Sequence, residues 1–75
     1  MTKYLNKNGD SGILSYEIQA DGILVQFSDF SEYLYTNLSA GINNIVQMKE
    51  LAMQGYGLNS FINKHVRTGY QSKVR

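Results

Sequence analysis

Three kinds of side chain in these 75 residues could do chemistry: the single histidine, His65; the tyrosines, six of the nine aromatic residues; and the cations gathered near the C-terminal end. A histidine acting as a general base needs a nucleophile and an orienting group, and one acting as a metal ligand needs companions. The chain has no cysteine, and no Asp or Glu follows Glu50. No spacing brings partners to His65, so no catalytic residue, no metal site and no cofactor is expected. A partly buried helix histidine is the simpler identity. Gly55-Tyr56-Gly57 lacks the third glycine and the Lys-Ser or Lys-Thr ending of a phosphate-binding loop. Nothing here argues for an enzyme.

Tyr33 and Tyr35 are the sharpest pair. A tyrosine ring offers a π-face on which an unpaired base can stack, worth about 1–3 kcal/mol per base. Alternation, however, sets Glu32 and Thr36 on the opposite face, which directs both tyrosines inward to the core. Tyr4, Tyr56 and Tyr70 are expected nearer the surface.

Charge is unevenly placed. Residues 1–50 sum to −3, whereas residues 51–75 carry Lys64, Arg67, Lys73 and Arg75 with no acid, a sum of +4. A basic end interleaved with aromatics is one footprint of nucleic-acid binding. Tyr56, Lys64, Arg67 and Tyr70 are therefore the expected nucleic-acid contacts. Cations also gather at helix C-termini and chain ends for stability and solubility alone.

The elements that must position these residues follow from periodicity. Residues 1–10 read as a flexible lead-in with a turn at Asn8-Gly9-Asp10, pinned by Tyr4 or Leu5. Leu14, Tyr16 and Ile18 alternate as one face of a first strand. Ala20-Asp21-Gly22 closes a hairpin on a positive-φ glycine. Ile23, Val25 and Phe27 line a second strand, and residues 32–36 form a third. Short loops make this an antiparallel meander. The period then changes. Ser39 is the expected N-cap of a helix carrying Ile42, Ile45, Val46 and Leu51 or Ala52 inward, with Met48 and Met53 on its flanks. Gly55 stops it. Asn59 caps a second helix with Phe61, Ile62, His65 and Val66 as its stripe. Residues 68–75 are expected to fray as a basic tail. The fold class is α+β: a three-stranded antiparallel meander followed by two helices packed on one face, in one domain over residues 11–67.

Ser11 and Ile13, then Ile23, Val25 and Phe27 leading into Tyr33-Leu34-Tyr35, then Leu38, Ser39, Ala52, Gly55, Leu58, Asn59 and Ile62, together resemble the KTSC domain. That small family is named for its occurrence at the C-terminus of some lysyl-tRNA synthetases and also occurs as stand-alone bacterial or phage proteins. The resemblance covers about three quarters of the chain. It departs from the family pattern at Phe30, where glycine is common, at Ser39, where proline is common, and at Asn63 and Val66, in place of Arg and Tyr. The resemblance implies this fold, and its synthetase context suggests RNA as the partner.

Two readings of function follow. The first is a small non-enzymatic binding module for RNA, acting through the basic C-terminal end. The alternative is a protein-interaction module, such as a phage- or plasmid-encoded adaptor or inhibitor. It would use an outer sheet face bearing Ile13, Leu24 and Leu34, or the free edge of the third strand, for a partner or for self-association. No apolar run exceeds three residues, so neither a membrane span nor a signal core is expected, and with no cysteine a cytoplasmic location fits.

Overall fold

A computed structural model describes residues 1–7, 9 and 12–75. The turn expected at Asn8-Gly9-Asp10 and the Ser11 opening lie largely outside the described residues. The chain is α+β. Strands β1 (Thr2–Lys3), β2 (Ile13–Gln19), β3 (Gly22–Phe27) and β4 (Glu32–Thr36) come first. Helices α1 (Asn37–Ala40), α2 (Ile42–Gln54) and α3 (Leu58–His65) follow, and strand β5 (Tyr70–Lys73) ends the chain. The sheet is antiparallel throughout, in the order β1-β2-β3-β4-β5.

Among the described residues five strands and three helices replace the expected three and two. Both additions to the sheet come from the chain ends. The lead-in supplies β1, and the tail expected to fray supplies β5 along β4, with Tyr33 opposite Lys73 and Tyr35 opposite Tyr70. Neither segment has the alternation that advertises a strand. They are held by backbone pairing rather than by burial, since every residue of β1 and β5 is exposed. Just beyond β5, Val74 N donates to Glu32 O at 2.7 Å, and the Arg75 guanidinium lies 3.6 Å from the Glu32 carboxylate.

The core lies between the inner sheet face and the helices. Ile13, Tyr16, Ile23, Val25 and Tyr35 meet Ile45, Met48 and Ala52 of α2, and Leu58 and Ile62 of α3. Three details differ from the periodicity reading. A register shift between Ile13 and Ser15 turns both Ile13 and Tyr16 inward, while Leu14 and Ile18 stay exposed. Ile13 is 2% exposed and therefore leaves the outer face to Leu24 and Leu34. On α2, Ile45, Met48 and Ala52 form the buried stripe, while Ile42, Val46 and Met53 face outward. A surplus of apolar residues made two helix rotations compatible with the pattern, and packing against the sheet selected one.

The hairpins also have their own reasons. Gly22 does not have a positive φ. It is required because a side chain there would run into the Tyr35 carbonyl of the neighbouring strand. Phe30, by contrast, adopts φ +68°. Phe30 N donates to Phe27 O, and Phe27 N donates to Ser31 O, both at 2.8 Å. This is the three-residue hairpin loop whose third residue is left-handed and usually glycine. Here a 65% exposed phenylalanine carries the strain.

The helix starts differ as well. The helix carrying Ile42 starts at Gly41 rather than Ser39, with no side-chain cap. Ser39 lies inside the short α1, which Thr36 caps: Ser39 N donates to Thr36 Oγ1 at 3.1 Å, and Thr36 N donates back to Ser39 Oγ at 3.0 Å. At α3 the N-cap is Gly57, not Asn59, and no side chain of the loop caps it. The acceptor comes from far away: Leu58 N donates to the hydroxyl of Tyr4 at 3.3 Å. Tyr4 is 2% exposed, contrary to the surface position expected for it. Leu5 closes against Gly55, which sits at φ +87°, and Lys7 N donates to Gly55 O at 2.7 Å. The lead-in thus straps the α2–α3 junction.

Tyr4→Phe removes that acceptor and leaves a buried N–H unpaired. It should cost about 1–2 kcal/mol and lower Tm by about 5–10 °C, read by thermal melting. An unchanged Tm would mean the bond contributes nothing.

Candidate functional site: an aromatic cleft at the C-terminal end

Where the β3–β4 loop, strands β4 and β5, and the end of α3 meet, a cleft of about 430 Å³ opens. Its wall is aromatic: Phe27, Tyr33, Tyr35 and Tyr70. Tyr33 stands edge-on to Phe27 at 5.6 Å between ring centres and to Tyr70 at 4.8 Å. Tyr35 meets Tyr70 at 6.4 Å, nearly perpendicular. The polar groups come from two segments, with Asn63 in α3 and Arg67 just past its end, and Asp29 and Ser31 at the β3–β4 hairpin.

Each is placed by a local cause. The bulge between Leu34 and Tyr35 lets Tyr70 stand opposite Tyr35 while Lys73 stands opposite Tyr33, so both strands present the same face. The Lys73 ammonium sits 5.8 Å over the Tyr33 ring, a cation–π contact. Asp29 Oδ1 accepts from Ser31 N at 3.0 Å and from Ser31 Oγ at 2.6 Å, which folds the loop as an Asx turn. The Ser31 hydroxyl, then its amide, with a lesser contribution from Lys73, hold the Asp29 carboxyl below its ordinary range. Arg67 is exposed, and among the described residues no carboxylate lies within ion-pair range of it. The described lining thus carries one cation, Arg67, and one acid, Asp29, and Lys73 adds a second cation over the Tyr33 ring.

Of the residues the sequence singled out, the structure brings Tyr33, Tyr35, Arg67 and Tyr70 together. Tyr35 is core and cleft floor at once, 2% exposed, whereas Tyr33 is only half-buried. Tyr56 and Lys64 do not line the cleft. Tyr56 lies on the α2–α3 loop, with the Lys7 ammonium 5.9 Å from its ring. His65 is exposed rather than partly buried, and its ring rests 4.6 Å from that of Phe61. Among the described residues no group of three His, Cys, Asp or Glu could hold a metal. Asp29, Ser31 and Asn63 are among the cleft residues that sequence reasoning missed. Asp29 read as turn punctuation, and the only clue to more was a turn carrying a phenylalanine where glycine is usual.

The outer sheet face is mostly polar. Leu24 and Leu34 pair across β3 and β4, next to a hydrogen-bonded row in which Ser15 Oγ donates to Gln26 Oε1 at 2.8 Å and Gln26 Nε2 donates to Glu32 Oε2 at 3.4 Å. The third strand's edge is not free, because β5 covers it. A second exposed apolar set, Leu38, Ile42 and Val46, lies on α1 and α2. No helix is long and apolar enough to cross a membrane among the described residues. No protein-family model, curated protein or solved structure matches the chain.

Two measurements test this geometry. Burial, and then the neighbouring Tyr33 and Tyr70, push the Tyr35 hydroxyl up to about 12 from an unfolded value of 10.0. Its neutral form is thus favoured in the fold. The associated stability is complete below pH 10 and is lost as the pH climbs toward 12, about 2–3 kcal/mol in all. Tyr35→Phe should flatten that alkaline decline in urea titrations; an equally steep decline would place the cause elsewhere. Phe30→Gly should relieve the left-handed strain and raise stability by about 0.5–1 kcal/mol, net of glycine's own entropy cost. A loss in urea unfolding would show that Phe30 makes compensating contacts.

Proposed function

We propose that this protein is a small non-enzymatic module that binds single-stranded RNA, taking an unpaired base into the aromatic cleft. The observation that carries the reading is the meeting of Tyr33, Tyr70 and Arg67 in one cleft, with the Lys73 ammonium over the Tyr33 ring. Stacking rings beside cations that can meet phosphate are the two parts single-strand recognition needs. RNA rather than DNA follows the synthetase context of the KTSC domain, which the sequence resembles.

The reading narrows the basic end to one place. Arg67 and Tyr70 remain contacts, Tyr33 joins them, and Lys64 serves as a nearby cation on the exposed side of α3. The alternative, a protein-interaction module, loses Ile13 and the third-strand edge from its proposed surface. It keeps Leu24 and Leu34, and the Leu38, Ile42 and Val46 set would suit a protein partner or a second copy. That set brings no polar group to orient a ligand, and the cleft brings several.

Fluorescence anisotropy with labelled single-stranded RNA over a salt series tests the proposal. Three phosphate contacts predict a log K against log salt slope of about −2. Arg67→Glu should weaken binding by about tenfold or more and reduce the slope, while Tyr70→Ala removes a stacking partner worth about 1–3 kcal/mol. Melting temperature reports whether either variant has merely unfolded. Unchanged affinity in both folded variants would sink the assignment.

A further inference from the structure

The cleft's polar groups are of unequal kind, and that inequality selects a base. Among the described residues Asp29 is the only carboxylate that lines the cleft. Ionised, it accepts hydrogen bonds and cannot donate. Both Ser31 bonds go to Oδ1, which leaves the acceptor sites of Oδ2 to a ligand. The Ser31 donors favour the ionised form, holding the carboxyl below its ordinary range. A base whose edge enters here must therefore present N–H groups, and an acceptor beside them would be repelled. Adenine pairs its N6 amino group with the N1 acceptor, and cytosine its N4 amino group with N3. Uracil flanks one N–H with two carbonyls. Guanine alone presents two adjacent donors, N1–H and N2–H, that converge on one carboxylate.

A methylammonium ligand would also suit four aromatic rings and a carboxylate. Arg67 in the lining and Lys73 over the Tyr33 ring stand against it, since both already bring positive charge to these rings. The same cations suit the phosphate of a nucleotide whose base points toward Asp29.

We propose that the cleft selects an unpaired guanine: its ring packs against Tyr33 and Tyr70, its Watson–Crick edge donates to Asp29, and its phosphate meets Arg67. This rests on the RNA-binding reading above and deepens it.

The test uses the full chain and labelled uridine-rich RNA hexamers carrying one central guanosine, adenosine or inosine. The guanosine hexamer should bind about tenfold tighter than the adenosine one, with inosine, which lacks the N2 amino group, in between. Asp29→Asn keeps a turn acceptor for Ser31 while removing the charge. It should weaken guanosine binding and leave adenosine binding equal or tighter, abolishing the preference. Equal binding of all three hexamers by the unaltered protein would overturn guanine selection and leave RNA binding standing. A preference that survives Asp29→Asn would overturn the role of Asp29. No binding of any hexamer would overturn both readings together.

Discussion

The pairing of β5 with β4 is the interaction on which the site depends. Without it, the chain leaving α3 would have no reason to return to the sheet, Tyr70 would not face Tyr33 and Tyr35, and Arg67 would not overlook them. The pairing is made mainly of backbone hydrogen bonds between an exposed four-residue strand and a half-buried one, with an ion pair from Arg75 to Glu32 beyond it. Little apolar surface is buried there. The cleft thus sits beside a strand held with little apolar burial, a kind of segment from which ligand-binding elements are commonly drawn. A ligand bridging Tyr33 and Tyr70 would in turn hold the last strand on the sheet.

At the opposite end the lead-in makes a firmer version of the same arrangement. β1 is only two residues, but Tyr4 behind it is driven fully into the core, and its hydroxyl receives the Leu58 amide at the start of α3. A chain of this size buries only about 60% of its unfolded surface, so side chains that fill the core and satisfy a backbone group together matter disproportionately. Tyr35 does the first of these jobs: it closes the core beneath the cleft, and its burial favours the neutral hydroxyl. The Phe30 loop runs the other way. It holds an exposed phenylalanine in a left-handed conformation beside Asp29 and Ser31, and such local strain is tolerated where the geometry it enforces is useful.

The fold was legible where one face of an element is clearly apolar. The meander of β2, β3 and β4 and the stop of α2 at Gly55 follow from alternation and from glycine's left-handed tolerance. The rotation of α2 did not follow, because Ile42 and Val46 lengthen the apolar arc beyond what the sheet can cover. The end strands did not follow either: Thr2–Lys3 and Tyr70–Lys73 are polar and exposed, and a strand held by backbone pairing leaves no mark in side-chain pattern. Arg67 and Tyr70 could be suspected from charge and aromatic interleaving, whereas Asp29 could not be distinguished from an ordinary turn residue.

The sequence by itself determined the α+β class, the order of the central elements, the absence of cysteine chemistry and the concentration of positive charge after residue 50. These are properties of neighbouring residues, which periodicity and composition record directly. Only the tertiary structure decided that Tyr33 and Tyr35, on one strand, share a cleft with Asn63 from α3, Arg67 just past it, Tyr70 from the last strand and Asp29 from a hairpin loop. Such a meeting is fixed by strand register and by the return of the chain to the sheet. Those depend on contacts between residues some 30 to 40 positions apart, which no local pattern encodes.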